Sequence, residues 1–121
     1  MIGQRRGVDE VLRYYALVDA GDIESLVSLF SHDAEYARPG HRLLCGRAAL
    51  ESFYRDTRVI ADGEHQIDTI LAEGNQVAVH GSFRGHLRSG DEVAVRFADF
   101  FVLTLDNLFA RRDTFFFEPS V

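Results

Sequence analysis

Within the run Val93 to Leu105, VAVRFADFFVLTL, Asp99 is the one carboxylate, and it sits among phenylalanines. Strand alternation places Val93, Val95, Phe97, Asp99, Phe101, Leu103 and Leu105 on one face and Ala94, Arg96, Ala98, Phe100 and Val102 on the other. A carboxylate turned into an apolar face loses solvation, so it must take a partner or keep its proton. A carboxylic acid held neutral donates a hydrogen bond, which is useful for polarising a carbonyl. The other reading is an Asp at the end of a buried span that reaches water or a backbone amide. The strand alone leaves both open.

The remaining groups with chemical potential are dispersed. His32, His41, His65, His80 and His86 share no ligand spacing. His80 and His86 have the same strand parity but stand about 20 Å apart at strand rise, so no metal site is expected. No glycine-rich phosphate loop is present, and Gly81 and Gly85 read as curvature or as room for a ligand. Cys45 is the sole cysteine, with no His or Asp at a recognisable spacing, so neither a catalytic thiol nor an internal disulfide is expected. Tyr15 and Tyr36 read as core or rim, and no cofactor is expected.

The elements that must position these groups follow from the pattern. The 121 residues suit one domain, 1–121, with 46% hydrophobic and 26% charged residues. A net charge of −6 argues against nucleic acid or an anionic membrane as partner. Nothing in Met1 to Gly7 resembles an export signal, and no apolar run approaches ~18 residues, so a cytoplasmic protein is expected. Residues 8–20 place Val8, Val11, Leu12, Tyr15 and Val18 at helical spacing, and Gly21 caps that helix. Asp22 starts a second helix, Ile23 to Phe30. A short strand from Ala34 to Arg38 stops at Pro39-Gly40, and a third helix runs from Gly46 to about Val59, with Phe53 and Tyr54 on its apolar side. Four strands follow: His65 to Ala72, Gln76 to Leu87, Val93 to Leu105 and Leu108 to Phe117. This order predicts an α+β fold, three N-terminal helices packed on a strongly curved antiparallel sheet.

Alternation fails at the end of the chain. Phe100 and Val102 lie opposite Asp99, while Phe109, Phe115 and Phe117 lie opposite Phe116. Large apolar groups on both faces predict a homodimer through the sheet.

This order of elements resembles the nuclear transport factor 2 superfamily, a cone-shaped α+β fold. The runs RYYALVDAGDIESLVSLFSHDA (Arg13 to Ala34), GRAALESFY (Gly46 to Tyr54) and FADFF (Phe97 to Phe101) carry the likeness. Within the superfamily the chain is most similar to bacterial ketosteroid isomerase, with SnoaL-like polyketide cyclases as relatives. The resemblance implies that Tyr14 and a protonated Asp99 donate hydrogen bonds to a substrate carbonyl oxygen, with Tyr54 supporting Tyr14. The pocket would be completed by Arg38, Phe53, Phe83, Phe97, Phe101 and Phe116.

One position departs from that pattern. Arg38 stands where the isomerases carry their aspartate base, and arginine has no accessible neutral form to accept a proton. His41, Glu35 and Asp56 are the replacement candidates. Arg38 itself suits an anionic ligand group or a rim salt bridge with Asp56 or Glu35. The Arg112-Asp113 pair is similar to one in epoxide-opening relatives, but the Arg-x-Asp expected on a neighbouring strand is missing from Val79 to Phe83, which argues against epoxide hydrolysis. Two functions remain. One is an isomerase or cyclase acting on a small hydrophobic carbonyl compound; the other is a non-catalytic binding or dimerisation module.

Overall fold

The computed structural model describes residues 6–118. Helix α1, Val8–Ala20, buries Val8, Val11, Tyr14, Tyr15 and Val18, and Gly21 ends it in the left-handed conformation at φ 72°. The Asp22 carboxylate accepts from the Ser25 amide at 3.2 Å and caps α2, Ile23–Ser28. That helix is shorter than expected because strand β1, Phe30–Ala37, begins at Phe30 instead of Ala34. Strand β2 is the two-residue Leu44–Cys45, followed by helix α3, Arg47–Ser52. The chain then continues as a π-helical turn, Phe53–Thr57, closed by the Arg58 amide donating to the Phe53 carbonyl at 2.8 Å. Such wide turns recur at functional sites, and here the turn delivers Tyr54 and then Arg58 to the same region.

Strands β3 (Ile60–Glu73), β4 (Gln76–Leu87), β5 (Glu92–Leu103) and β6 (Phe109–Phe116) form the expected antiparallel meander. The whole sheet has the order β2-β1-β6-β5-β4-β3, and β1 joins β6 in parallel, with Tyr36 beside Arg112. The sheet is therefore mixed, where an antiparallel one was expected. Alternation fixes which face a residue occupies but not which strand lies next door. An added Cβ would lie 2.2 Å from the Gln66 carbonyl oxygen at Gly81 and 2.0 Å from that of Asp62 at Gly85. Both glycines thus serve close approach of β4 to β3 in the curved sheet, not ligand space.

A bulge in β6 positions the centre of the molecule. Val102 pairs with Arg111 but Leu103 pairs with Phe109, so Ala110 is the extra residue. The bulge turns Phe109 into the core, correcting its expected place on the outer face with Phe115 and Phe117. Past the bulge, Arg112, Thr114 and Phe116 share the inner face. Tyr14, Phe30, Phe101 and Phe109 meet edge-on or tilted beneath α1, with ring centroids 4.8 to 5.9 Å apart. On the outer face Phe100, Phe115 and Phe117 are exposed. Among the described residues no helix is long and apolar enough to cross a membrane.

Candidate functional site

Asp99 lies on β5 opposite Thr114 of β6 and is completely buried. Its carboxylate accepts from Arg112 Nε at 3.1 Å and Arg112 Nη2 at 2.8 Å, a bidentate pair. The hydroxyls of Tyr15 and Thr114 supply two further bonds. Both carboxyl oxygens are thus engaged within the protein, and Asp99 is not among the residues that line the cavity described below. The expected role was a donor to a ligand; in the structure the carboxyl group holds Arg112. Arg112 reaches Asp99 diagonally from β6, where it pairs with Phe101, two residues before Thr114. Burial disfavours the guanidinium charge, but Asp99 and the oxygens of Tyr14, Tyr36 and Tyr54 more than offset it, and Arg112 stays firmly protonated.

Arg112 turns its remaining nitrogen towards two tyrosines. Nη1 donates to the Tyr14 hydroxyl and to the Tyr54 hydroxyl, the latter at 3.2 Å, and the two hydroxyls bond each other. Guanidinium is donor-only, so neither tyrosine proton goes to it. Their mutual bond consumes one of the two hydroxyl protons. The other has no acceptor among the described residues. Burial raises both tyrosines above their ordinary values despite the lowering influence of Arg112, which keeps them as neutral donors. Tyr36 sits behind them, its hydroxyl accepting from Arg38 Nη1 at 2.8 Å. Burial would raise Tyr36 too, but the Arg112 and Arg38 charges bring it below its ordinary value.

Tyr14, Tyr54 and Arg112 line a cavity of about 20 Å³, completed among others by Arg38, Arg58, His65, Phe83, Phe97 and Phe116. That space holds a water molecule or a single ligand oxygen. Through Val18, Tyr54, Arg58, Ile60 and Phe83 it adjoins a cleft of about 570 Å³. The cavity wall carries three arginines and no carboxylate. Its one side chain able to accept a proton near neutral pH is His65. His65 Nδ1 lies 2.6 Å from Asp19 at the end of α1, and the His65 amide donates to the same carboxylate at 2.9 Å. An acceptor-only carboxylate fixes the tautomer with the proton on Nδ1, leaving Nε2 as the acceptor. Burial lowers His65 below the usual histidine value in spite of Asp19, so the ring is neutral near pH 7.

Of the residues expected at the site, the structure brings Tyr14, Tyr54, Arg38, Phe83, Phe97 and Phe116 to this cavity. Phe53 and Phe101 lie in the core and are not among the residues lining it: Phe53 meets Tyr36 and His41 edge-on, and Phe101 meets Tyr14 edge-on and Phe109 at a tilt. The three replacement bases are away from the wall. Glu35 pairs with Arg111 at 3.0 Å, His41 packs on Phe53, and Asp56 is exposed. Arg38 forms no rim bridge with Glu35 or Asp56; it lies over the Phe53 and Phe116 rings at 5.3 and 5.1 Å. Among the described residues no group of three His, Cys, Asp or Glu side chains converges to hold a metal.

The profile of the SnoaL-like domain matches residues 11–112, from within α1 to Arg112 itself. The chain belongs to the SnoaL-like family. Solved structures show the same fold for this SnoaL-like chain. The epoxide hydrolase/cyclase-like enzyme SalBIII, described with a role in pyran ring formation in the polyether salinomycin, superposes at TM-score 0.82 with 21% identity, covering 93% of this chain and 91% of that one. A candidate polyketide cyclase from Xanthomonas campestris pv. campestris gives 0.83 with 18% identity, covering 93% and 90%. A nuclear transport factor 2-like protein from Burkholderia pseudomallei K96243 gives 0.83 with 15% identity, covering 92% and 90%. No curated protein matches the sequence. At these identities the likeness establishes the fold and leaves the chemistry to the residues of the SnoaL-like cavity.

Sequence reasoning missed Thr114, Arg58 and the His65–Asp19 pair, weighed Arg112 only beside Asp113, and read Tyr15 and Tyr36 as core or rim without their hydrogen bonds. Alternation along β3 puts His65 on the same face as Ile67, a signal that was there to read. Its partner is 46 residues away, and no local pattern links the two.

Proposed function

We propose that this SnoaL-like protein is an isomerase or cyclase of the ketosteroid isomerase-like type, acting on a small hydrophobic carbonyl compound through an enolate-like intermediate. The observation that carries this reading is the Tyr14–Tyr54 pair on the cavity wall, whose two hydroxyls carry one proton more than their mutual bond uses, backed by the Arg112 charge. A carbonyl oxygen entering the cavity would accept that proton's hydrogen bond. The negative charge that grows on the oxygen as the neighbouring C–H is broken would meet a preorganised, dry, cationic site. His65 Nε2 takes the proton from carbon. Returning it to another carbon gives isomerisation, and attack of the enolate carbon on an electrophile in the same molecule gives cyclisation. Asp99 is then a positioning residue that holds Arg112, and Arg38 adds positive charge where the isomerases carry a base. No cofactor enters this scheme.

The test is a titration with 4-nitrophenol, whose absorbance separates phenol from phenolate. The expected result is binding as the phenolate, shifted to lower pH than in water. Either single substitution, Tyr14→Phe or Tyr54→Phe, is expected to have a small effect, because removing one hydroxyl releases the other's proton from the mutual bond. The double variant is expected to weaken binding by about 10-fold or more, the range for a hydrogen bond to a charged group. No binding at all would leave a structural network and favour a non-catalytic module.

We further propose that the exposed Phe100, Phe115 and Phe117 face pairs with a second copy of the chain. Sedimentation equilibrium is expected to give a dimer that Phe100→Lys/Phe115→Lys converts to a folded monomer. A parent protein that sediments as a monomer rejects it.

A further inference from the structure

Arg58 leaves the π-helical turn and enters the neck between the inner cavity and the outer cleft, lining both. Its guanidinium lies over the Tyr54 ring at 5.7 Å and the Phe83 ring at 6.0 Å. Its Nε is buried without a hydrogen-bond partner, and among the described residues Arg58 makes no ion pair. The two carboxylates lining the cleft are engaged elsewhere, Asp19 by His65 and Asp62 by His86. The cleft's other arginines are also occupied: Arg55 pairs with Glu51, and Arg88 donates to the Arg55 carbonyl. Burial pulls the Arg58 pKa below its ordinary value, while Arg38 adds a like charge nearby. A half-buried cation with no counter-ion has lost part of its hydration without an opposite charge in return. It becomes favourable when a ligand brings the negative charge, and a guanidinium fork matches a carboxylate in a bidentate contact.

We propose that the ligand of this protein is a carbonyl compound that also bears a carboxylate, and that Arg58 anchors the carboxylate at the neck of the site. This deepens the reading of the cavity as a carbonyl site and rests on it for the second oxygen. The carbonyl reaches Tyr14, Tyr54 and Arg112 inside, the carboxylate takes Arg58, and the body of the molecule lies in the outer cleft. A volume of about 570 Å³ is ample for a small acid of this kind.

The experiment compares 2-naphthoate with its uncharged isostere 2-naphthamide by isothermal titration, using the parent protein and Arg58→Leu. The parent is expected to prefer naphthoate by about 10-fold or more, and Arg58→Leu is expected to bind the two equally. Ligand-free Arg58→Leu is expected to melt at a higher temperature than the parent, because a half-buried charge without a counter-ion has gone. A parent that binds both probes alike, a preference that survives Arg58→Leu, or a fall in the melting temperature overturns the anchor. Binding of naphthamide in that situation leaves the carbonyl site standing, whereas binding of neither probe overturns both.

Discussion

Asp99→Leu is expected to lose about 3–5 kcal/mol of folding stability, the cost of stranding one partner of a buried ion pair. Arg112 is 4% exposed and Asp99 0%. Removing the carboxylate leaves the guanidinium Nε and Nη2 without acceptors and takes the acceptor away from the Tyr15 and Thr114 hydroxyls. The change runs opposite to that expected of a protonated acid reserved for a ligand, whose replacement by an apolar side chain should be neutral or stabilising. Urea unfolding with an unchanged m-value reads the difference directly as a shift of midpoint. The double variant Asp99→Leu/Arg112→Met is expected to recover much of the loss, because well-packed apolar groups commonly replace a buried pair without penalty. It should also abolish phenolate binding, since the charge behind Tyr14 and Tyr54 is then gone. An Asp99→Leu protein as stable as the parent would remove the ion pair from the centre of this structure.

His65→Gln carries the second large effect. Exchange of the α-protons of 2-tetralone in D₂O, followed by proton NMR, measures enolisation without knowledge of the natural substrate. The parent is expected to accelerate it. The variant is expected to fall by about 10²–10⁴-fold, the usual contribution of a general base, while phenolate binding is retained. A purely structural role for His65 would affect binding and exchange together. The same variant tests the electrostatics through folding. His65 is held below the ordinary histidine value by burial, which outweighs Asp19. The unfolded chain therefore takes up the proton first as pH falls. The stabilising contribution is complete above about 6.5 and is lost as the pH drops from there towards the lower folded value. His65→Gln is expected to flatten that acid-side loss of stability relative to the parent. An unchanged slope would mean that the ring titrates alike in both states.

Much of the frame was legible because its signals are local. The Gly21-Asp22 junction encodes one cap and the next helix start. The alternation of β5 turned Asp99 inward with Phe97 and Phe101, whereas the meeting of Tyr14 with Tyr54 was implied only by the family resemblance. The errors arise where a single extra residue or a distant pairing intervenes. Ala110 forms a bulge that no propensity announces, and it moved Phe109 from the outer face to the core. Arg38 was weighed as a partner for Glu35, yet Glu35 is taken by Arg111, which the parallel register of β1 on β6 brings alongside.

The sequence by itself determined the α+β class, the helix boundaries near α1, the meander and the inward direction of Tyr54 and Asp99, because periodicity and capping act within a few residues. Only the tertiary structure decided what these groups do. A carboxylate's role depends on which donors surround it, and those of Asp99 come from α1 and β6. A histidine becomes a base or an acid according to its partner and its burial, and His65 finds Asp19 across 46 residues of chain. An arginine seeks a ligand only when no carboxylate has reached it first, which for Arg58 is a property of the folded cleft as a whole.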